Sequence, residues 1–553
     1  MDKIAQRPVI FILILAVLAG YLFFFNLGGL ALTDPDETFY AQTAKEMFEK
    51  GEWVTPYLYG KPQFEKPILF YWLVHISYKI FGVNEFAARF PSAVFAFIGV
   101  IAMYLLGSVL FNRRVGVFAA VVLASNVEYV ILSRACVTDM VLTVFMLLGV
   151  YRFFCGYTTG KKFYYVLSGV AFGMAVLTKG PVFMALAIGV FLLFLFLSGD
   201  ISRIKKMPVV WVALAYLAVT VPWYLSVYKL HGTTFLDEFF GFHNVTRFMV
   251  SEHKIGSQVY YNIPIILGGL FPWSVFLPFG LWHMFKKARS KSEPAQDKKA
   301  SIFTLVWFLV IFFFFTASST KLPTYIFPSF IALALIVGVL WDDFLKGGSV
   351  SVRRGMTVSF WALLAIVVIA SAAALGYLYY RYPSILAGVA VICVLIIIGI
   401  ALSCAAFLKQ RFMVSFALIL VSVSVILIPL SIMVLPELER YETSKEIAHK
   451  LSGYMKEGEG LGSESNYLAG LAFYTGKFPV DVDRHHKLVE FLSSPGRVWC
   501  VLKEKNHRFL YELDTKPIYM EPSYMVYKIG KRSIVTNRLP EDGAYLLKRE
   551  RTK

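Results

Sequence analysis

With 553 residues, 58% of them hydrophobic and only 16% charged, and with a mean hydropathy of +0.63, the chain is too apolar for a water-soluble globule of its size. A formal net charge of +18 points at first sight to nucleic acid, but Lys and Arg gather in short links between apolar runs. The positive-inside rule accounts for them there, and no nucleic-acid partner is expected.

In chain order, the first apolar run, Val9 to Leu30, follows Lys3 and Arg7. It lacks a convincing cleavage signal and exceeds the apolar core of a signal peptide, so it reads as a retained span. The stretch "ALTDPDETFYAQTAKEM" then sets Asp34, Asp36, Glu37 and Glu46 directly after that span. Helical patterning in "DETFYAQTAKEMFEKG" and in "KPILFYWLVHISYKIFG" predicts two short helices within 31–87, the first opening on Asp or Thr capping candidates. Tyr57, Tyr59, Phe70, Tyr71, Trp72 and Tyr78 suit an interfacial depth.

Further runs, each long enough to cross a ~30 Å hydrocarbon core as a helix, fall near 88–111, 115–132, 139–157, 163–178, 181–199, 208–228, 262–284, 301–317, 324–344, 356–376, 384–407 and 412–434. With the first run this predicts about thirteen spans, and the absence of strict alternation argues for helices over a barrel. An odd number puts the termini on opposite sides. Arg113–Arg114, Lys161–Lys162, Arg203/Lys205/Lys206, "KKARSKSEPAQDKK", Arg353–Arg354 and Lys409/Arg411 fall on the side of the N-terminus, which is therefore expected in the cytoplasm. The tail from about 435 changes character: "TSKEIAHKLSGYM" reads as an amphipathic helix, and "GRVWCVLKE" and "PSYMVYKIG" as strands. The expected architecture is thus an α-helical polytopic membrane domain over 1–434, with 31–87 as an extracytoplasmic loop, and a small extracytoplasmic α/β domain over 435–553. Cys136, Cys155, Cys393 and Cys404 lie in apolar stretches and Cys500 stands alone in the tail, so neither a disulfide framework nor a thiolate zinc site is expected.

Several charged residues interrupt or border spans on the outward side: Asp36 and Glu37, Glu65 and Lys66, Arg134 and Asp139, Lys179, Arg247, and Lys321. Charges at membrane depth cost at least a few kcal/mol each on insertion scales, so they usually face a cavity or one another. Taken singly, Asp36 and Glu37 read as helix caps, Lys66, Lys179 and Lys321 as snorkelling cations, and Asp139 as the partner of Arg134. Lys179 in "LTKGP" and Lys321 in "SSTKLPTY" both sit beside Gly or Pro on the side the positive-inside rule disfavours, and together they point to anion binding. His243 and Arg247 in "FHNVTRF" are four apart, on one helical face if that stretch is a helix.

The segments "PDETFYAQTAKEMFEKGEWVTPYLYGKPQFEKPILFYW", "LTKG", "HNVTRF" and "TKLPTYIFP" resemble the polyprenyl-phosphate-dependent glycosyltransferases of the GT-C fold. Within these the chain is most similar to the bacterial transferases of 4-amino-4-deoxy-L-arabinose to lipid A, in the wider clan of dolichyl-phosphate-mannose-type protein mannosyltransferases. The resemblance implies a GT-C bundle in a bacterial inner membrane, a sugar donor on undecaprenyl phosphate, and lipid A or another envelope glycolipid or protein as acceptor on the periplasmic face. It makes Asp36 the catalytic carboxylate, with Glu37 beside it and Asp139 supporting the acceptor or donor sugar. Lys66, Arg247 and Tyr325 would hold the donor phosphate, Lys179 and Lys321 would line the same cavity, and Tyr40, Glu65 and His243 would belong to the substrate cavity. Family members can hold a divalent ion near the carboxylate and histidine that correspond to Glu65 and His243. The pattern departs at Phe39, where the arabinosyl transferases carry arginine, and at Gln63, where they favour tyrosine.

Two other functions fit the same sequence. One is a protein O-mannosyltransferase-like enzyme of the same clan. The other, of a different class, is a transporter or flippase of polyprenyl-linked sugars, for which inverted repeats with broken, paired helices would be expected and none is apparent.

Overall fold

The computed structural model describes residues 8–239, 241, 258–503, 506, 524–529 and 532–538. Two compact units emerge. The first takes in the chain to Leu27, Phe64–Leu73 and Arg89–Leu430; the second takes in Gly28–Gln63, Val74–Ala88 and the chain from Ser431 onward.

The first unit is a bundle of long apolar helices. Among the described residues, eight helices are long and apolar enough to cross a membrane, or up to ten if each of two bent pairs is one span. Pro8–Phe24 and Val182–Leu197 are shorter apolar helices. The apolar runs read from the sequence fall largely on helix, the first ending at Phe24 rather than at Leu30. The run at 115–132 bends by 65° between Arg113–Ser125 and Val127–Ser133, and the run at 262–284 turns by 112° between Asn262–Gly269 and Trp273–Arg289, so neither is a single straight rod.

Helix burial sorts the bundle. The most apolar window of Pro323–Leu345 is 89% buried, whereas that of Val209–His231 is only 11% buried. Both are apolar all round, so the first reads as the axis of the bundle and the second as a flank that meets lipid. The axis packs against Arg113–Ser125, and the approach is close. A Cβ on Gly338 would lie 3.0 Å from the Ala119 amide nitrogen, and one on Gly107 would lie 2.7 Å from Gly116 Cα, so small residues set these crossings. Thr138–Thr159 and Lys162–Lys179 form an adjacent helical hairpin.

The second unit contains a five-stranded sheet in the order Val480–Asp481, Gly460–Ser463, Val498–Lys503, Arg532–Thr536, Tyr524–Ile529. Gly460–Ser463 pairs in parallel with both of its neighbours, and the last two pairings are antiparallel. Helices Lys445–Tyr454, Ser465–Thr475 and His485–Leu492 complete the fold. The strand Val498–Lys503 shows why "VWCVL" is apolar at every position. Trp499 and Val501 enter one core with Ile447, Leu451 and Leu471, while Val498, Cys500 and Leu502 enter a second with Leu488 and Leu492. Alternate side chains thus bury on opposite faces of a sheet covered on both sides.

The two helices expected within 31–87 are Asp36–Lys50 and Leu69–Phe81, and the hairpin Tyr57–Leu58 with Lys61–Pro62 lies between them. The sequence reading attached 31–87 to the membrane part, whereas contacts group Gly28–Gln63 and Val74–Ala88 with the chain from Ser431 onward. Hydrogen bonds supply the physical reason. The Ala31 amide donates to Glu439 Oε1 (3.1 Å), the Leu32 amide to the Tyr474 hydroxyl (2.8 Å) and Lys45 Nζ to the Phe473 carbonyl (2.9 Å).

Candidate active site

The acidic helix Asp36–Lys50 belongs to the second unit and packs on Ser465–Thr475. Its N-terminus follows Pro35, which contributes no side-chain cap. Glu37 is buried and reaches back past the helix start, its Oε2 accepting the Thr33 amide at 2.9 Å. Asp36 is exposed at the first helical position. A carboxylate turned back on its own backbone and a neighbour turned outward are thereby told apart, which spacing alone does not do. Glu46 is also structural. It is buried and accepts the amides of Tyr59 and Gly60, each at 2.8 Å, along with Gln42 Nε2 at 2.9 Å. Tyr59 and Gly60 both have positive φ, 54° and 75°, so Glu46 holds the tight tip of the hairpin.

Asp34 lies outside the expected site set. It is half-buried, with Oδ1 accepting the Thr38 hydroxyl at 2.8 Å and Oδ2 accepting the Ser444 hydroxyl. Burial pushes its carboxyl up to about 7, against the lowering effect of the Ser444 and Thr38 hydrogen bonds and of the Arg532 guanidinium. Tyr40 and Phe39 are half-buried on the same helix, their rings edge to face with centroids 5.2 Å apart.

In the first unit, Lys179 ends the helix Lys162–Lys179, and Asp139 stands in the first turn of Thr138–Thr159. Their side chains, each 8% exposed, form an ion pair at 2.5 Å. The Lys179 ammonium also sits 5.0 Å from the centroid of the Tyr325 ring. The expected pairing of Asp139 with Arg134 is not found. Arg134 instead donates to the carbonyls of Leu22 (3.3 Å) and Asn26 (3.4 Å), at the C-terminal end of the first apolar helix, where backbone carbonyls attract a cation.

Lys321 lies in the link between the helix Ala295–Ala317 and the 3-10 turn Pro323–Ser329. The link is fixed by the Ser318 hydroxyl, which donates to the Thr320 carbonyl at 2.9 Å. Lys321 is 6% exposed and has no counter-ion among the described residues. A cation in that setting costs several kcal/mol unless an anion joins it. Lys66 and Glu65 pair with each other at 2.8 Å in the link before Leu69–Phe81. His243 and Arg247 lie outside the described residues. Among the described residues no group of three or more His, Cys, Asp or Glu side chains is placed to hold a metal ion. Glu65, the described half of the expected pair, is already neutralised by Lys66.

Sequence reasoning missed Ser444 and the hairpin held by Glu46, because hydroxyl and backbone partners hundreds or tens of positions away leave no local pattern. The second unit offers an outward carboxylate on a braced helix; the first offers a buried ion pair under an aromatic ring and a buried cation with capacity for an anion.

Comparison with known proteins bears on this chemistry. Residues 65–225 match the family model described as Dolichyl-phosphate-mannose-protein mannosyltransferase. An undecaprenyl phosphate-alpha-4-amino-4-deoxy-L-arabinose arabinosyl transferase of Photorhabdus laumondii is 30% identical over 354 residues, 62% of this chain and 62% of that protein. The match thus spans less than two thirds of that relative's own length. An uncharacterised protein of Aquifex aeolicus is 30% identical over 368 residues, 66% of this chain and 69% of that protein. Among solved structures, ArnT from Cupriavidus metallidurans bound to undecaprenyl phosphate superposes with a TM-score of 0.77 at 22% identity, over 96% of this chain and 98% of that one. The oligosaccharyltransferase of Archaeoglobus fulgidus in its apo form gives a TM-score of 0.54 at 12% identity, over 91% and 70%.

Proposed function

We propose that the chain, which shares the fold of ArnT and matches a mannosyltransferase family model over 65–225, is an inverting membrane glycosyltransferase of the GT-C type. It moves a sugar from undecaprenyl phosphate to an envelope acceptor at the periplasmic face of the inner membrane. The preferred pair is 4-amino-4-deoxy-L-arabinose and lipid A, in keeping with the names of the arabinosyl transferases it resembles. The proposed topology has thirteen crossings, a cytoplasmic N-terminus, and the sheet of the second unit in the periplasm.

The observation that carries this reading is Lys321, a buried cation with no counter-ion among the described residues. It suits the phosphate of the donor. Breaking the bond from the anomeric carbon to the phosphate oxygen leaves one more negative charge on phosphate and a cation-like sugar in the transition state. Lys321 and Arg247 would stabilise the departing phosphate, with Lys66 reaching it by exchanging its contact with Glu65 for the phosphate oxygen. Lys179, neutralised by Asp139, would instead hold Tyr325 and the sugar in place through their shared contact. Asp36 acts on the acceptor. With a hydroxyl acceptor it removes the proton; with a lipid A phosphate, already ionised, it orients the acceptor and stabilises the sugar cation. Glu37 keeps its helix in place. No step is routed through a metal ion, since Glu65 is engaged by Lys66.

The test is sugar transfer by purified protein in detergent, where no compartments exist, using an undecaprenyl-phosphate donor and lipid A. Lys321→Met should raise the donor KM at least tenfold with little change in acceptor KM. An unchanged donor KM would remove the phosphate assignment. Transfer to peptide and not to lipid A would favour the protein-acceptor alternative, for which the mannosyltransferase family match speaks. Absence of transfer together with sugar-lipid movement in vesicles would favour transport.

A further inference from the structure

Asp36 opens a helix whose N-cap side chain bonds to nothing, so something other than a conventional cap must fix the direction of its first turn. The residues just before it are bound, one after another, to a single stretch of the chain four hundred positions away. The Ala31 amide meets Glu439, the Leu32 amide meets the Tyr474 hydroxyl, and the Asp34 carboxylate accepts the Ser444 hydroxyl with one oxygen while taking Thr38 with the other. Thr38 lies one helical turn from Asp34, so this carboxylate ties the start of the Asp36 helix to the helix that Ser444 precedes. Gly470 closes the site from a third side. A Cβ there would collide with Asp34 Oδ1 and come within 2.8 Å of Ser444 Oγ, so only glycine leaves room for the carboxylate.

We propose that Asp34, gripped by Ser444 and Thr38, is a positioning residue that aims Asp36, and that the stretch from Glu439 to Tyr474 thereby sets the turnover of the enzyme. This rests on the reading of Asp36 given above. Asp34 touches no reacting atom; it acts through the helix. The charged and titratable groups facing it are the Arg532 guanidinium, whose Nη1 also donates to the Thr443 carbonyl, and the Tyr59 phenol. Lys445, next to Ser444, directs its ammonium to Glu85 at 2.7 Å. The ionised carboxylate accepts both hydroxyls at once; the protonated one gives up an acceptor site. Turnover should therefore rise as pH increases through about 7, the value to which burial raises this group.

The experiment measures kcat, donor KM and the pH profile in detergent for wild type, Asp34→Asn, Ser444→Ala, Ser444→Thr, Gly470→Ala and Asp36→Asn, each normalised to folded protein by size exclusion and thermal melting. Asp34→Asn, Ser444→Ala and Gly470→Ala should lower kcat by on the order of 10- to 100-fold, the effect of a small misplacement, with donor KM changed less than threefold. Asp34→Asn should lose the step near pH 7, and Ser444→Thr should restore kcat. If Asp34→Asn does not fold, the split between kcat and KM in Ser444→Ala and its rescue by Thr decide the matter. Wild-type kcat and an unaltered pH step in the folded variants, with Asp36→Asn inactive, would overturn this inference alone. Wild-type turnover by Asp36→Asn would overturn the reading of Asp36 beneath it.

Discussion

The two units handle buried charge in different ways. In the helical bundle several buried carboxylates are matched by a cation: Asp139 by Lys179, Asp342 by Arg114 and Lys346, Asp343 by Lys287. In the unit with the sheet, ion pairs such as Glu85 with Lys445 and Glu459 with Arg497 stand beside acids that N–H and O–H donors hold: Glu37 by the Thr33 amide, Glu46 by the Tyr59 and Gly60 amides, Asp34 by two hydroxyls. The difference follows from what each setting can spare. Where helix packs against helix, few backbone amides are left unbonded, so a buried acid facing another helix is matched by a side chain of that helix. Turns and strand ends leave amides free, and an acid can serve them directly. A buried cation in the bundle without such a match, Lys321, therefore stands out.

The comparison can be broken first at Asp36, the exposed acid at the first helical position, whose proposed role is in transfer. Asp36→Asn should leave the folded protein intact and lower transfer by about 10²–10⁴-fold, the usual contribution of a positioned acid or base. Near-normal turnover would return Asp36 to the structural acids. Next, Asp139→Ala strands the Lys179 ammonium in the bundle and should cost about 3–5 kcal/mol, read from denaturant unfolding in detergent. Asp139→Leu combined with Lys179→Met should recover most of that loss, and a double variant as unstable as the single one would show that the pair is not the source.

A smaller effect is expected where amides do the work. Glu46→Ala leaves two hairpin amides without their acceptor and should cost about 1–3 kcal/mol. Hydrogen exchange confined to Tyr59 and Gly60 is the sharper readout, and no change in their protection would refute the role of Glu46. The smallest signal is a slope. Folding holds the Asp34 proton up to about pH 7, whereas an unfolded chain releases it near pH 4. The folded state binds more protons across that window, so stability falls as pH rises from about 4 to about 7, and Asp34→Asn should flatten that stretch of the curve. An identical slope in the variant would show that another group carries it.

Much of the fold was legible from the sequence because one physical cause wrote it. Apolar runs in a chain that enters a membrane must be helical, and "DETFYAQTAKEM" and "LFYWLVHISYKIF" carry their own periodicity. What escaped was tertiary. Gly268, Gly269 and Pro272 in "ILGGLFPWSV" signal a break but not its angle of 112°, and the strand Arg532–Thr536 is legible only through its partners. In the site, charge type and membrane side brought forward Lys179, Lys321 and Asp139. The sequence alone paired Asp139 with its near neighbour Arg134, because proximity along a chain is visible and proximity across two helices is not. The same blindness hid Ser444, since a serine at the start of a helix looks like any other.

The apolar flank of Val209–His231, with Trp211 66% exposed and Val210 69% exposed, also dictates how the protein must be handled. A micelle or nanodisc has to sheathe it, and when surfactant is diluted away such flanks find one another. Precipitation on detergent removal is then a property of the intact molecule, and recovery of turnover upon adding lipid back distinguishes it from unfolding.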